Sequence, residues 1–127
     1  MRSPEPQDAA PKAPAVFVIR LEGEFDIADR EPLIEAFATA NSAGLVVIDL
    51  ERVDYIDSTV LSCLVTLHRS TQQRGAELVL VGVNNHVHRL FEVTELHALF
   101  TIRESAKELT ESRAGVRRLT IQGRSVN

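Results

Sequence analysis

An α/β fold with a mainly parallel sheet follows from two observations. The runs Leu45-Val46-Val47-Ile48 and Leu78-Val79-Leu80-Val81 are apolar throughout, as strands must be when both faces of a sheet are covered. Between them, residues 58–74 repeat apolar side chains at helical spacing. A helix joining two such strands is the crossover of a parallel pair. The expected architecture is a single domain with four to five strands and about four helices, in which residues 45–50 and 78–83 are adjacent central strands.

The remaining elements are read in order. Val16 to Leu21 is β-branched and apolar on alternate sides, which predicts a first strand covered on both faces, loosened at Gly23. From Asp29, a capping residue, Pro32 suits a first helical turn and Leu33, Ile34, Phe37 and Ala40 recur at helical spacing until Asn41 and Gly44. The crossover helix carries Val60, Leu61, Leu64, Val65, Leu67 and Thr71 on one broad stripe and stops at Gly75. A shorter helix from Asn85 places Val87, Leu90, Phe91 and Thr94 on a narrow face. Ala98 to Ile102 predicts an edge or terminal strand. Ser105 and Glu108 then form a capping box ahead of a last helix with Ala106 and Leu109.

Composition bounds the domain and its partners. A chain of 127 residues with 44% hydrophobic and 25% charged residues is that of one ordinary globular core. Residues 1–14 hold four prolines and no large apolar side chain beyond Met1, so they are expected to be a disordered lead-in. Residues 15–113 form the expected domain. Residues 114–127, with Arg117, Arg118 and Arg124 and no acid, are expected to be a mobile basic tail. A net charge of −4 argues against bulk attraction to nucleic acid phosphates. No apolar stretch is long enough to span a membrane or to serve as a secretory signal, so a cytoplasmic location is expected. Cys63, the single cysteine, allows no internal disulfide and no thiolate cage; its apolar neighbours predict a buried structural thiol.

In a parallel sheet, function gathers where strands end and helices begin. The junction Asp49-Leu50-Glu51-Arg52-Val53-Asp54-Tyr55-Ile56-Asp57-Ser58-Thr59-Val60-Leu61 carries four carboxylates within nine residues. Asp57 is placed to cap the crossover helix, with Ser58 at its first position, and Asp49 and Glu51 are expected to be solvated or capping. Ser58 lacks the glycine-flanked elbow of a serine hydrolase. A phosphoacceptor aspartate at Asp49 would need an acidic pair at Asp26 and a lysine where Arg103 stands, and has neither. His86 and His88 project to different sides of a helix start, and His68 and His97 have no ligand or nucleophile partner and are expected at the surface. These patterns predict no enzyme, no metal and no cofactor.

The junction resembles the STAS domain of anti-sigma factor antagonists, in which an apolar strand ending in Asp-Leu leads through a short loop to Asp-Ser at a helix start. Val47-Ile48-Asp49-Leu50 and Tyr55-Ile56-Asp57-Ser58-Thr59 with Leu61 carry this match. Leu21-Glu22-Gly23-Glu24-Phe25-Asp26 is similar to the family's first strand end, and Val87-His88-Arg89-Leu90-Phe91 to its short helix. Val60 stands where the family usually has glycine. The resemblance implies that Ser58 is phosphorylated by an anti-sigma factor serine kinase and restored by a phosphoserine phosphatase. It further implies that Asp26, Asp57 and Thr59 contact the partner, and that the unphosphorylated form sequesters the kinase and so indirectly activates transcription. The same fold also implies an alternative: an unphosphorylated scaffold or an accessory subunit of a lipid ABC transporter.

Overall fold

The computed structural model describes residues 15–111, 113 and 115–124; the expected lead-in at residues 1–14 lies outside them. Five strands form one sheet: β1 (Val16–Phe25), β2 (Leu45–Ile56), β3 (Glu77–Val81), β4 (Thr101–Arg103) and β5 (Val116–Gln122). Their order is β4-β3-β2-β1-β5, and every pairing is parallel. Four helices connect them: α1 (Arg30–Ala38), α2 (Ser58–Gln73), α3 (Asn85–Val93) and α4 (Lys107–Glu111). The two aliphatic runs pair with each other, Val46 opposite Leu78 and Ile48 opposite Leu80, with β2 at the centre of the sheet.

Each face of the sheet has its own core. Ile19, Leu21, Phe25, Ile48 and Leu80 point to one side and pack with Leu33 and Phe37 of α1, Leu64 and Leu67 of α2, and Val87 and Phe91 of α3. Val16, Val18, Leu45, Val47, Val79 and Val81 point to the other side, under Ala106, Leu109 of α4 and Val116. The uninterrupted apolar runs are thus explained by burial of alternate residues on opposite faces.

Several boundaries depart from the sequence reading. β1 and β2 run on to Phe25 and Ile56, because the polar residues 51–56 remain paired to β1, through Arg52 with Glu22 and Tyr55 with Glu24, after β3 has ended. β3 stops at Val81 and not at residue 83. Gly82 follows with φ +69, and a Cβ there would stand 2.8 Å from Cβ of Glu51. The edge strand expected at residues 98–102 is three residues, Thr101–Arg103, preceded by a 3-10 turn at Leu96–Ala98. Before α4, Ser105 Oγ accepts the Lys107 N–H at 3.0 Å.

The largest correction concerns the chain's end. Residues 116–122, expected within a mobile basic tail, form edge strand β5, paired in register with β1 from Val16–Val116 to Glu22–Gln122. Leu119 and Ile121 pack against the main core and Val116 against the second, while Arg117 places its guanidinium carbon 5.7 Å from the ring centre of Phe17. An edge strand buries only part of each side chain, so its pattern is diluted by the arginines.

Candidate switch site at the carboxyl edge of the sheet

The pairing of Phe25 with Ile56 ends β1 and β2 side by side, so Asp26 and Asp57 leave neighbouring strand ends. Asp57 has extended backbone, φ −112 and ψ −174, and its Oδ1 accepts the N–H groups of Thr59 at 2.9 Å and Val60 at 3.2 Å. This is the N-cap geometry expected from the sequence, and it satisfies two of the donors a helix start leaves free. Ser58 is the first residue of α2 and is exposed; Thr59 is half-buried. Val60, in contrast, has no exposed surface and belongs to the main core. Its β-branched side chain therefore points away from the surface that carries Ser58.

Asp26 closes the neighbouring strand end. Its Oδ1 accepts the Ala28 N–H at 2.9 Å and caps a 3-10 turn at Ile27–Asp29, while Asp29 Oδ2 accepts the Asp26 N–H at 2.8 Å. Asp29, expected to cap α1, makes no side-chain cap bond to that helix; its carboxylate closes the preceding turn. The Arg124 guanidinium lies 2.6 Å from Asp26 and 3.3 Å from Asp29. The Ala28 N–H, and then Arg124, hold the Asp26 carboxyl below its usual value, against a partial opposing effect of burial.

Around these carboxylates the edge presents apolar groups to solvent. Ile27 is 70% exposed and Tyr55 43%, the latter with its ring centre 5.7 Å from that of His86. Asn84 fastens α3 to the same edge, donating to the Val53 carbonyl at 2.8 Å and accepting the Val87 N–H at 2.8 Å. A shallow groove of about 390 Å³ runs from Ser58 along α2, lined by Leu61, Ser62, Val65, Thr66, Arg69, Thr94 and Leu96. An exposed hydroxyl at a capped helix start can carry a phosphate without displacing any packed group.

Other residues named from the sequence fall elsewhere. Asp49 is not solvated: it is 8% exposed, accepts the Glu51 N–H at 2.9 Å and pairs with Arg20 at 3.3 Å. Glu51 itself is solvated. His68 is half-buried and not at the surface, edge-on to Phe100 with ring centres 5.7 Å apart. Cys63 is buried, and burial raises its thiol pKa. Among the described residues no group of three or more His, Cys, Asp or Glu is placed to hold a metal ion, and no helix is long and apolar enough to cross a membrane. Sequence reasoning missed Arg124 and Asn84. A residue's service to a turn 95 or more positions away leaves no local pattern, whereas Asn84 just ahead of a helical stretch is a recognisable cap.

A model of the STAS domain family matches residues 9–109. The chain belongs to the STAS domain family. The anti-sigma-B factor antagonist of Listeria monocytogenes is 36% identical over 98 residues, spanning 76% of this chain and 86% of that protein. The protein of the same name from Staphylococcus aureus is 30% identical, over 72% of this chain and 86% of its own. The fold is similar to that of unphosphorylated SpoIIAA, an anti-sigma factor antagonist, with a TM-score of 0.60 at 18% identity over 74% of this chain and 84% of that one. It is also similar to a sulfate transporter family protein from Wolinella succinogenes, with a TM-score of 0.64 at 19% identity over 87% and 94%. β5 lies beyond the span of the family match.

Proposed function

We propose that this STAS protein is an anti-sigma factor antagonist switched by phosphorylation of Ser58. The observation that carries the reading is the exposed serine directly after the Asp57 cap, at the end of the strand that pairs with the one ending before Asp26, in a chain whose relatives at 30–36% identity are anti-sigma-B factor antagonists. Unphosphorylated, the edge formed by Asp26, Asp57, Ser58 and Thr59 binds an anti-sigma factor serine kinase and so frees a sigma factor in the cytoplasm. The chain acts as a binding module and not as an enzyme.

The switch is electrostatic. A phosphate brings about −1.5 to −2 charge to an edge already carrying Asp26, Asp54 and Asp57. At Ser58 the kinase meets this edge through its own nucleotide-binding region, so the new phosphate faces the nucleotide's phosphates. Two like unit charges about 4 Å apart across the interface repel by roughly 4 kcal/mol at an effective dielectric near 20, which is about a thousandfold in affinity. The helix start itself tolerates the anion, since the positive dipole end of α2 lies beside it. Phosphorylation thus breaks a complex while leaving the fold intact, and a phosphoserine phosphatase restores binding.

Calorimetric titration against the kinase that co-purifies with the full chain tests this reading. Ser58→Ala should abolish phosphorylation and keep affinity within about tenfold, because one hydroxyl contributes roughly 0.5–1.5 kcal/mol. Ser58→Asp should bind more weakly than Ser58→Ala. Equal affinities, or phosphate mapped to Thr59 or Ser62, would overturn it. Recovery of an ABC transporter subunit in place of a kinase would favour the accessory-subunit alternative.

A further inference from the structure

The end of the described chain is fastened to the edge that carries Ser58. Gly123 N–H donates to the Glu22 carbonyl at 2.7 Å, and Glu24 and Arg124 exchange two backbone bonds of 3.0 Å each. After running parallel to β1, the chain thus crosses its end in the antiparallel sense. Two glycines permit the approach. A Cβ at Gly23, where φ is +98, would stand 2.6 Å from the Arg124 carbonyl oxygen, and one at Gly123 would collide with the Glu24 carbonyl. The crossing delivers the Arg124 guanidinium to Asp26 Oδ2 and Asp29 Oδ2. With Oδ1 already accepting the Ala28 N–H, both Asp26 oxygens are engaged within the chain.

We propose that Arg124 is a tethered competitor for the acidic rim beside Ser58: it occupies the Asp26 and Asp29 carboxylates in the free protein, and a partner engages them only by displacing it with a cation of its own. That the rim is a partner contact rests on the proposed function; that Arg124 masks it does not. The competition is graded. The Arg124 and Asp26 side chains are 47% and 41% exposed, and pairs this open to water contribute little each. Unmasking should therefore strengthen binding of an external cation about three- to fivefold, a threshold that the chain imposes on its partner and that the phosphate does not supply.

The test uses the full chain as wild type, Arg124→Gln and Gly123→Ala, titrated with a tri-arginine peptide while NMR follows the carboxylate carbons of Asp26 and Asp29. Both variants should reach half-saturation at about three- to fivefold lower peptide, the first by losing the cation and the second by losing the crossing. A wild-type midpoint in either variant overturns the proposal. The kinase supplies the second arm: Arg124→Gln should bind it about three- to fivefold more tightly and Asp26→Asn more weakly. Unchanged or weaker kinase binding by Arg124→Gln, alongside weakened Asp26→Asn, also overturns the proposal. Should Asp26→Asn leave kinase binding untouched while the peptide midpoints shift, the masking stands and the reading of the rim as a partner contact falls.

Discussion

Placing glycine at residue 60 with Val60→Gly separates the needs of the fold from those of the interface. Val60 has no exposed surface and packs in the main core at the first turn of α2. Deleting its side chain forfeits about 1.5–3 kcal/mol of burial, with a cavity adding to that loss. Glycine costs a helix a few tenths of a kcal/mol more than valine does. The sum, roughly 3 kcal/mol, is a large fraction of the 5–15 kcal/mol typical of a domain. For a body of this size it corresponds to a fall in Tm of about 10–20 °C. The cap is unaffected, since the backbone N–H of residue 60 still reaches Asp57. Urea denaturation at an unchanged m-value should report the loss, and kinase affinity measured well below the new Tm should stay within about twofold of wild type. A destabilisation under about 1 kcal/mol, or tenfold tighter kinase binding, would show that Val60 faces the partner and that its assignment to the core is wrong.

Three further outcomes follow from the same contacts. Asp57→Ala leaves the Thr59 and Val60 N–H groups without their acceptor and should cost about 1 kcal/mol in chemical denaturation; an unchanged midpoint would deny the cap. Arg20→Ala strips the buried Asp49 of its ion pair and should destabilise by about 2 kcal/mol, whereas the double variant Arg20→Ala/Asp49→Ala should lose less than the two single losses combined; strict additivity would show that the two do not interact. Asp26 has a lowered folded pKa, so its contribution to stability is present above the unfolded value, near 3.9, and lost as pH falls through the folded one. The stability difference between wild type and Asp26→Asn should therefore shrink as pH drops below about 4, and a constant difference across that range would refute the bonded carboxylate.

The sequence was most legible where burial was most complete. The runs at 45–50 and 78–81 could be neither loop nor exposed edge, and α2 begins at Ser58 as the Asp57 cap dictates. Legibility fell with the number of neighbours. Residues 51–56 have a strand partner on one side only, so Arg52, Asp54 and Tyr55 are polar or exposed and read as a loop, with Val53 and Ile56 as the sole apolar residues. β5, at the outer edge, alternates half-buried Val116, Leu119 and Ile121 with arginines and read as a tail. At the proposed switch site, Ser58 and Asp57 were visible because a cap is a local motif. The Arg124 contact was not, because it joins residues 98 positions apart through the sheet's register.

The unequal lengths of β2 and β3 have a mechanical consequence. β3 ends at Val81, opposite Asp49, but β2 continues to Ile56. Seven more residues at roughly 3.3 Å each carry β2 about 20 Å past its neighbour before α2 turns back. The 16 residues of α2 then cover about 24 Å of the return to Glu77, which sits beside Leu45. The serine thus stands at the outer end of an overhang, remote from the central strand pairs on which cooperative unfolding depends. Changes at its exposed positions, Ile27, Asp54, Tyr55 and Ser58, can retune what the protein grips, while resistance to unfolding rests on the buried residues between them, Phe25, Val53 and Ile56, and on the central pairs.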